Sequence, residues 1–273
     1  MSETDRPAVL FHRDDALWLP QRACVGPWSD DLLHGGAVAA LCVSQAEQAT
    51  DDPGWITSRV TLDLVRPVPR APLEVETEVL RAGRRVRLVE ISVRADGREV
   101  VHARVQRTAH EQIALLESEL PSVRPAPPPD LPEDFIGPDQ YRPLARPIPF
   151  VEESSEIRVP DSEGPFGTGA ITAWVRIQAE LLPGQRLSPA ASVCAAGDFT
   201  HAFGSPEPVH AMRLYFPNAD LSVHLSRTPV DAWVRMAPSA VWETSGVGHA
   251  RCELSDRYGT IGTSVMTLVL STP

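Results

Sequence analysis

The residue whose placement asks most for a chemical explanation is Asp198, in the run Cys194-Ala195-Ala196-Gly197-Asp198-Phe199. A carboxylate inside an otherwise apolar helix is costly to bury unless it is paired or put to use. Asp198 therefore suits a base that holds and deprotonates water, or a group that caps the helix or pairs with an arginine. A second stretch, His34-Gly35-Gly36, opens the apolar run Ala37 to Val43. Free backbone N–H groups at such a helix start can meet a carbonyl or an anion. The same glycines could equally serve tight helix–sheet packing, with His34 bonding a loop.

These residues need elements to hold them, and the composition supplies enough apolar material for that. The chain has 273 residues, of which 42% are hydrophobic, so a sizeable core forms without staples. A net charge of -11 leaves no basic surface for nucleic acid. Cys24, Cys42, Cys194 and Cys252 form no CxxC pair, which argues against a disulfide framework or a zinc site. The histidines show no metal-ligand spacing, and no cofactor is expected. Residues Met1 to Pro7 are polar, and no run approaches the length of a membrane span. A cytoplasmic protein is expected.

Phe11 to Leu19 predicts an opening strand, and Gly26-Pro27-Trp28-Ser29 breaks it ahead of a helix from Gly35 to about Ala49. Apolar residues on almost every face of that helix predict burial all round. Ile56–Val65, Pro72–Ala82, Val86–Ala95 and Glu99–Thr108 then predict an antiparallel meander, with Asp96-Gly97 as a hairpin turn. A short amphipathic helix is predicted from His110 to Leu120. About ten of the 27 prolines fall between Pro121 and Pro149, which predicts a linker.

The second half repeats the plan. Strands are predicted at Ser155–Val159 and Gly169–Glu180, a helix at Leu187–Phe203, and strands at His210–Tyr215, Leu221–Ser226, Ala232–Glu243, Val247–Leu254 and Ile261–Leu270. Arg66-Pro67-Val68-Pro69 matches Arg227-Thr228-Pro229-Val230, Gly83 matches Gly246, and Asp96-Gly97 matches Tyr258-Gly259. Such self-similarity points to duplication. The expected units are residues 8–120 and 150–273, joined by the linker at 121–149. Counting from the helix starts, Asp198 corresponds to about Ser44, so only the second copy carries the acid.

A buried helix wrapped by a meander, present twice, resembles the double hotdog fold, an α+β architecture. Gly26-Pro27-Trp28 followed by His34-Gly35-Gly36, Leu64-Val65-Arg66-Pro67-Val68-Pro69, Ala195-Ala196-Gly197-Asp198-Phe199, and the run from Asn218 to Arg227 together resemble the TesB-like acyl-CoA thioesterase family. That resemblance implies hydrolysis of an acyl thioester, carried by coenzyme A or a carrier protein. The water would be held by an acid matching Asp198, a hydroxyl or amide residue matching Asn218, and a Gln on the last strand. Met266 stands where that Gln is expected, unless a shift of one residue brings Thr267 there. A thioether offers little to a water, so the rival expectation is a binder of acyl thioesters or lipid-like ligands that does not hydrolyse them. His34, Gly35, Gly36 and Met266 are the expected substrate-binding residues, with the first helix in a supporting role. A hydratase-like use of Asp198 and His201 does not fit, because those enzymes space Asp and His five apart around Asn-Pro. Exposed sheet edges and outer faces lead us to expect a homo-oligomer.

Overall fold

The computed structural model describes residues 7–50, 53–114, 127–128, 130–133, 135–136, 147–160, 170–207 and 214–272. The chain opens with a hairpin, β1 (Phe11–Asp14) and β2 (Leu17–Pro20), where the sequence suggested one strand. The turn falls at Asp15, whose φ of 51° is left-handed and breaks the extended run. Helix α1 (Gly35–Ala49) has the predicted bounds, and its residues from Gly36 to Val43 are all buried. Strands β3 (Trp55–Asp63), β4 (Leu73–Ala82), β5 (Val86–Ala95) and β6 (Arg98–Ala109) form the meander around it. Asp96 and Gly97, both at positive φ, make the β5–β6 turn.

His110 to Ile113 are not helical, and residues 115–120 of the predicted helix lie outside the described residues, as does most of the proline-rich stretch. Within that stretch β7 (Phe135–Ile136) is described. Next come α2 (Pro149–Ser154), β8 (Ser155–Pro160), β9 (Ala173–Ile177) and the small hairpin β10 (Glu180–Leu182) with β11 (Gln185–Arg186). The predicted strand Gly169–Glu180 breaks at Gln178 and Ala179, whose N–H groups both turn to the Ser154 carbonyl.

The second central helix is not continuous. It runs as α3 (Pro189–Gly197) and, after Asp198 and Phe199, as α4 (Thr200–Phe203). Asp198 N–H and Phe199 N–H reach back only three residues, to Ala195 and Ala196, while the Thr200 hydroxyl takes the Gly197 carbonyl at 2.7 Å. The tightened turn ends α3 at the acid itself. Strands β12 (Asp220–Leu225), β13 (Trp233–Trp242), β14 (Val247–Asp256) and β15 (Gly259–Val269) complete the second copy; residues 210–213 of the strand expected at His210–Tyr215 are outside the described residues.

The two copies share one sheet. Its 13 strands run β1-β2-β4-β5-β6-β3-β12-β15-β14-β13-β9-β8-β7. Up to β8 this order is a palindrome, with β3 paired to β12 at the centre from Asp63↔Asp220 to Arg59↔His224. Both helices lie on the inner face and cross where small residues let them meet. A Cβ on Gly36 would stand 2.6 Å from the Ala195 carbonyl oxygen, so glycine is what permits this approach. The architecture is the expected α+β double hotdog. Among the described residues no helix is long and apolar enough to cross a membrane.

Candidate active site

Asp198 sits where the crossing helices bring the start of α1 against the end of α3. It is 2% exposed. Its Oδ2 accepts the Gly36 N–H at 2.9 Å and lies 3.0 Å from His34 Nδ1, while its Oδ1 accepts from Asn218 Nδ2 at 2.9 Å. The acid of the second copy is therefore seated on the first copy's helix start, 162 residues away in sequence. The N–H groups there and the positive end of the helix dipole favour its charge. Burial pushes its carboxyl up, but the hydrogen bond and charge of His34, the charge of His201 and the amide of Asn218 outweigh that and hold it below the ordinary 3.8.

Each partner is itself fixed. His34 is the N-cap of α1, with its N–H on the Cys24 carbonyl, and its ring stacks on Phe150 at 4.2 Å and 19°. Phe150 belongs to α2 and is fully buried. Gly26 is the residue that lets the preceding loop close on His34, since a Cβ there would lie 3.0 Å from His34 backbone atoms. Asn218 also donates to the Asp220 carbonyl at 3.2 Å. Ser264 on β15 bonds the Thr200 hydroxyl at 2.5 Å, fastening the turn that carries Asp198.

Asp198, Asn218, His34 and Gly35 line one cavity of about 510 Å³, together with Trp28, Leu33, Leu64, Val68, His201 and Val269 among others. Arg66 and the half-exposed Tyr215 are also on its wall. Apolar walls with a few convergent polar groups are the usual form of a small-molecule site. Trp28, from the Gly-Pro-Trp run, meets Phe216 edge-on at 5.7 Å.

The structure thus brings four of the six expected site residues to the cavity wall. Gly36 does not line it but bonds the acid directly. Gly35 leaves room for the carboxylate, because a Cβ there would lie 2.6 Å from Asp198 Oδ1. Met266 is not brought in: it is 1% exposed, on the face of β15 turned to the core, and lines no part of the cavity. The Thr267 side chain is on the opposite, exposed face. Arg85, in the β4–β5 turn, pairs with Glu111 at an exposed site. The supporting role expected for the first helix is corrected to direct contact, since His34 and Gly36 both touch the acid.

His201 is buried, and its Nδ1 has no hydrogen-bond partner among the described residues. Burial pushes its imidazole down, Asp198 opposing and His34 adding to the effect. Phe150 carried no sequence signal at all, because nothing in its own surroundings reveals a partner beyond a proline-rich stretch. Among the described residues no group of His, Cys, Asp and Glu side chains is arranged to hold a metal.

Two family models match consecutive parts of the chain. The acyl-CoA thioesterase N-terminal domain matches residues 25–108, and the acyl-CoA thioesterase C-terminal domain matches residues 123–270. The chain belongs to the acyl-CoA thioesterase family. Solved structures agree on the fold of this family member. A candidate thioesterase from Novosphingobium aromaticivorans is 21% identical, with 96% of this chain and 98% of that one covered and a TM-score of 0.65. The acyl-CoA thioesterase II TesB2 of Mycobacterium marinum is 14% identical over 96% and 95%, with a TM-score of 0.64. A hot dog protein of unknown function from Alicyclobacillus acidocaldarius is 16% identical over 96% of each chain, with a TM-score of 0.68. No curated protein sequence matches the chain.

Proposed function

We propose that this member of the acyl-CoA thioesterase family hydrolyses an acyl thioester, of coenzyme A or an acyl carrier, with a water activated at the Asp198 carboxylate. The observation that carries the reading is a buried acid held by Gly36 N–H and Asn218 Nδ2 on the wall of a largely apolar cavity. A thioester carbonyl is already electrophilic, so a positioned carboxylate and an orienting amide supply what attack by water most needs. Asn218 holds Oδ1 in place through its amide. The cavity's apolar wall, from Trp28 to Val269, receives the acyl arm.

The rival reading, binding without hydrolysis, rested on Met266. That side chain packs in the core away from the cavity, so its inability to hold a water bears on neither reading. We also propose a homo-oligomer. Val241, Val247 and Val265, between 43% and 55% exposed, share the outer face of β13–β15 with His249, Arg251 and Thr267, a partly apolar surface for a second copy. Sedimentation of the purified chain tests this, with a single monomeric species as the contrary result.

The functional test is release of free thiol from acetyl-, hexanoyl- and decanoyl-CoA by the purified full chain. Turnover is expected, with Asp198→Ala losing at least 10²-fold in rate. Tight binding of these thioesters with no release, or equal release by Asp198→Ala, overturns the proposal.

A further inference from the structure

Helix α3 ends at Asp198 and α4 begins at Thr200, and this break decides which side chains share the cavity. Asp198 has φ -69° and ψ -18°, and Phe199 has φ -72° and ψ -6°, a tightened turn in which side chains three residues apart come into line. His201 therefore stands on the same side as Asp198, and both line the cavity of about 510 Å³. Thr200, between them, is fastened to the Gly197 carbonyl and to Ser264, and the His201 ring meets Phe216 edge-on at 5.8 Å. The imidazole has a fixed place in the wall.

Its hydrogen-bonding capacity is unused. His201 is 5% exposed, and neither ring nitrogen has a hydrogen-bond partner among the described residues. Nδ1 is fully enclosed, whereas Nε2 is not among the enclosed unpartnered atoms, so Nε2 is the nitrogen that meets the open space of the cavity. Burial pushes the imidazole down, so the ring is uncharged at neutral pH, with one N–H and one lone pair. An unpaired polar group in an apolar wall is costly, and a site built this way favours a substrate that pairs with it over an analogue that does not. The ring of Phe216 offers no such partner.

Depth and spacing locate that partner on the substrate. Arg66 and Tyr215, both exposed, mark the cavity mouth on the carrier side, and the buried Asp198 and His201 mark its floor. Water attacks the thioester carbon from about 3–3.5 Å, and side chains three residues apart on a helix stand about 5–6 Å from each other. An oxygen on C3 of the acyl arm falls within that span, and oxygens farther along an extended arm leave it. We propose that His201 is a specificity residue that binds a hydroxyl on C3, so that 3-hydroxyacyl thioesters are favoured over plain acyl thioesters. This rests on the thioester-hydrolysis reading and leaves the water at Asp198. A hydroxyl both donates and accepts, so it pairs with Nε2 in either neutral form of the ring; a 3-oxo group only accepts and pairs with one of them.

The test compares, on the purified full chain, hexanoyl-CoA with the separate R and S forms of 3-hydroxyhexanoyl-CoA and with the 2-hydroxy and 3-oxo analogues. One hand of the 3-hydroxy thioester is expected to exceed hexanoyl-CoA in kcat/KM by about 10–10²-fold, with the 2-hydroxy and 3-oxo analogues below it. In His201→Leu that ratio is expected to fall to about one, while His201→Gln, whose amide still donates and accepts, keeps part of it. Equal kcat/KM for hexanoyl-CoA and both 3-hydroxy forms in the wild type, a larger gain from the 2-hydroxy or 3-oxo group, or a preference that His201→Leu leaves intact overturns the proposal. A wild type that hydrolyses none of these thioesters overturns the thioesterase reading instead. Calorimetry with S-hexyl- and S-(3-hydroxyhexyl)-coenzyme A then decides the recognition: binding of the hydroxylated form tighter by about tenfold or more supports it, and equal affinity overturns it.

Discussion

Asp198 is a buried carboxylate whose two oxygens are both held by named neighbours, and this makes single substitutions around it informative. Asn218→Ala removes the donor on Oδ1 without touching the core. Its expected cost is about 10²-fold in kcat, by analogy with deleting one oriented donor, and stopped assays of thiol release with a thermal melt check this: activity falls while the midpoint stays. Gly35→Ala places a methyl 2.6 Å from Oδ1. The carboxylate has to move, so turnover is expected to drop at least as far as in Asn218→Ala. Met266→Gln behaves in the opposite way. Its amide would be buried in the core face of β15 among Ser264 and Leu268, which costs roughly 1–3 kcal/mol if unpaired. A lower melting temperature with no gain in hydrolysis is expected; a gain in rate would mean that the side chain reaches the water after all.

At the scale of elements, the crossing of α1 and α3 sets the site, and its tightest point is Gly36 against the Ala195 carbonyl oxygen. Gly36→Ala should force the helices apart, with a destabilisation of about 1–3 kcal/mol measurable by denaturant unfolding. The β14–β15 turn depends on a second acid. Asp256 is fully buried and accepts two short bonds from Arg227 and one each from Val230 and Tyr258 N–H groups. Burial alone would push its carboxyl up, but these donors hold it below 3.8. Asp198 is displaced in the same direction. The unfolded chain then takes up these protons first, so the stability they confer is complete above about pH 4 and drains away as pH falls through the lower folded-state values. His201 adds to the loss at the acid side from higher pH. Its imidazole is pushed below 6.5 by burial, so the unfolded state binds that proton first and stability declines as pH drops from about 6.5. His201→Leu is expected to flatten the stability profile between pH 5 and 7, and an unchanged slope in urea titrations would contradict this.

The whole molecule explains which parts of this were legible in the chain. The bounds of α1, the meanders and the suspicion attached to Asp198 follow from local patterns of apolar and β-branched residues, which act through their own helix or strand. The meeting of Asp198 with His34 and Gly36 does not, because it depends on β3 pairing with β12 and on how closely two helices cross, neither of which leaves a mark in either stretch alone. The break of the second helix at Asp198 was hidden for a similar reason: it is drawn tight by Thr200 and held by Ser264 on β15, 64 residues further along the chain. The palindromic sheet also raises the question of a second site, at the start of α3. There the N-cap is Ser188, whose hydroxyl accepts the Ala191 N–H as an ordinary cap. Helix α1 runs unbroken past Ser44, and the nearby acid Glu47 accepts from the Thr57 hydroxyl at 2.8 Å. The groove on that side is lined by Leu187, Pro189, Pro229 and others, and among the described residues its carboxylates are Glu180 and Asp231, neither of them on a central helix. One acyl-thioester site per chain is the expected outcome. Calorimetric titration with a non-hydrolysable hexanoyl thioether of coenzyme A should saturate at one ligand per chain, and Gly35→Ala should weaken that single event. A stoichiometry of two, with one event untouched by Gly35→Ala, would show that the second copy has kept a pocket of its own.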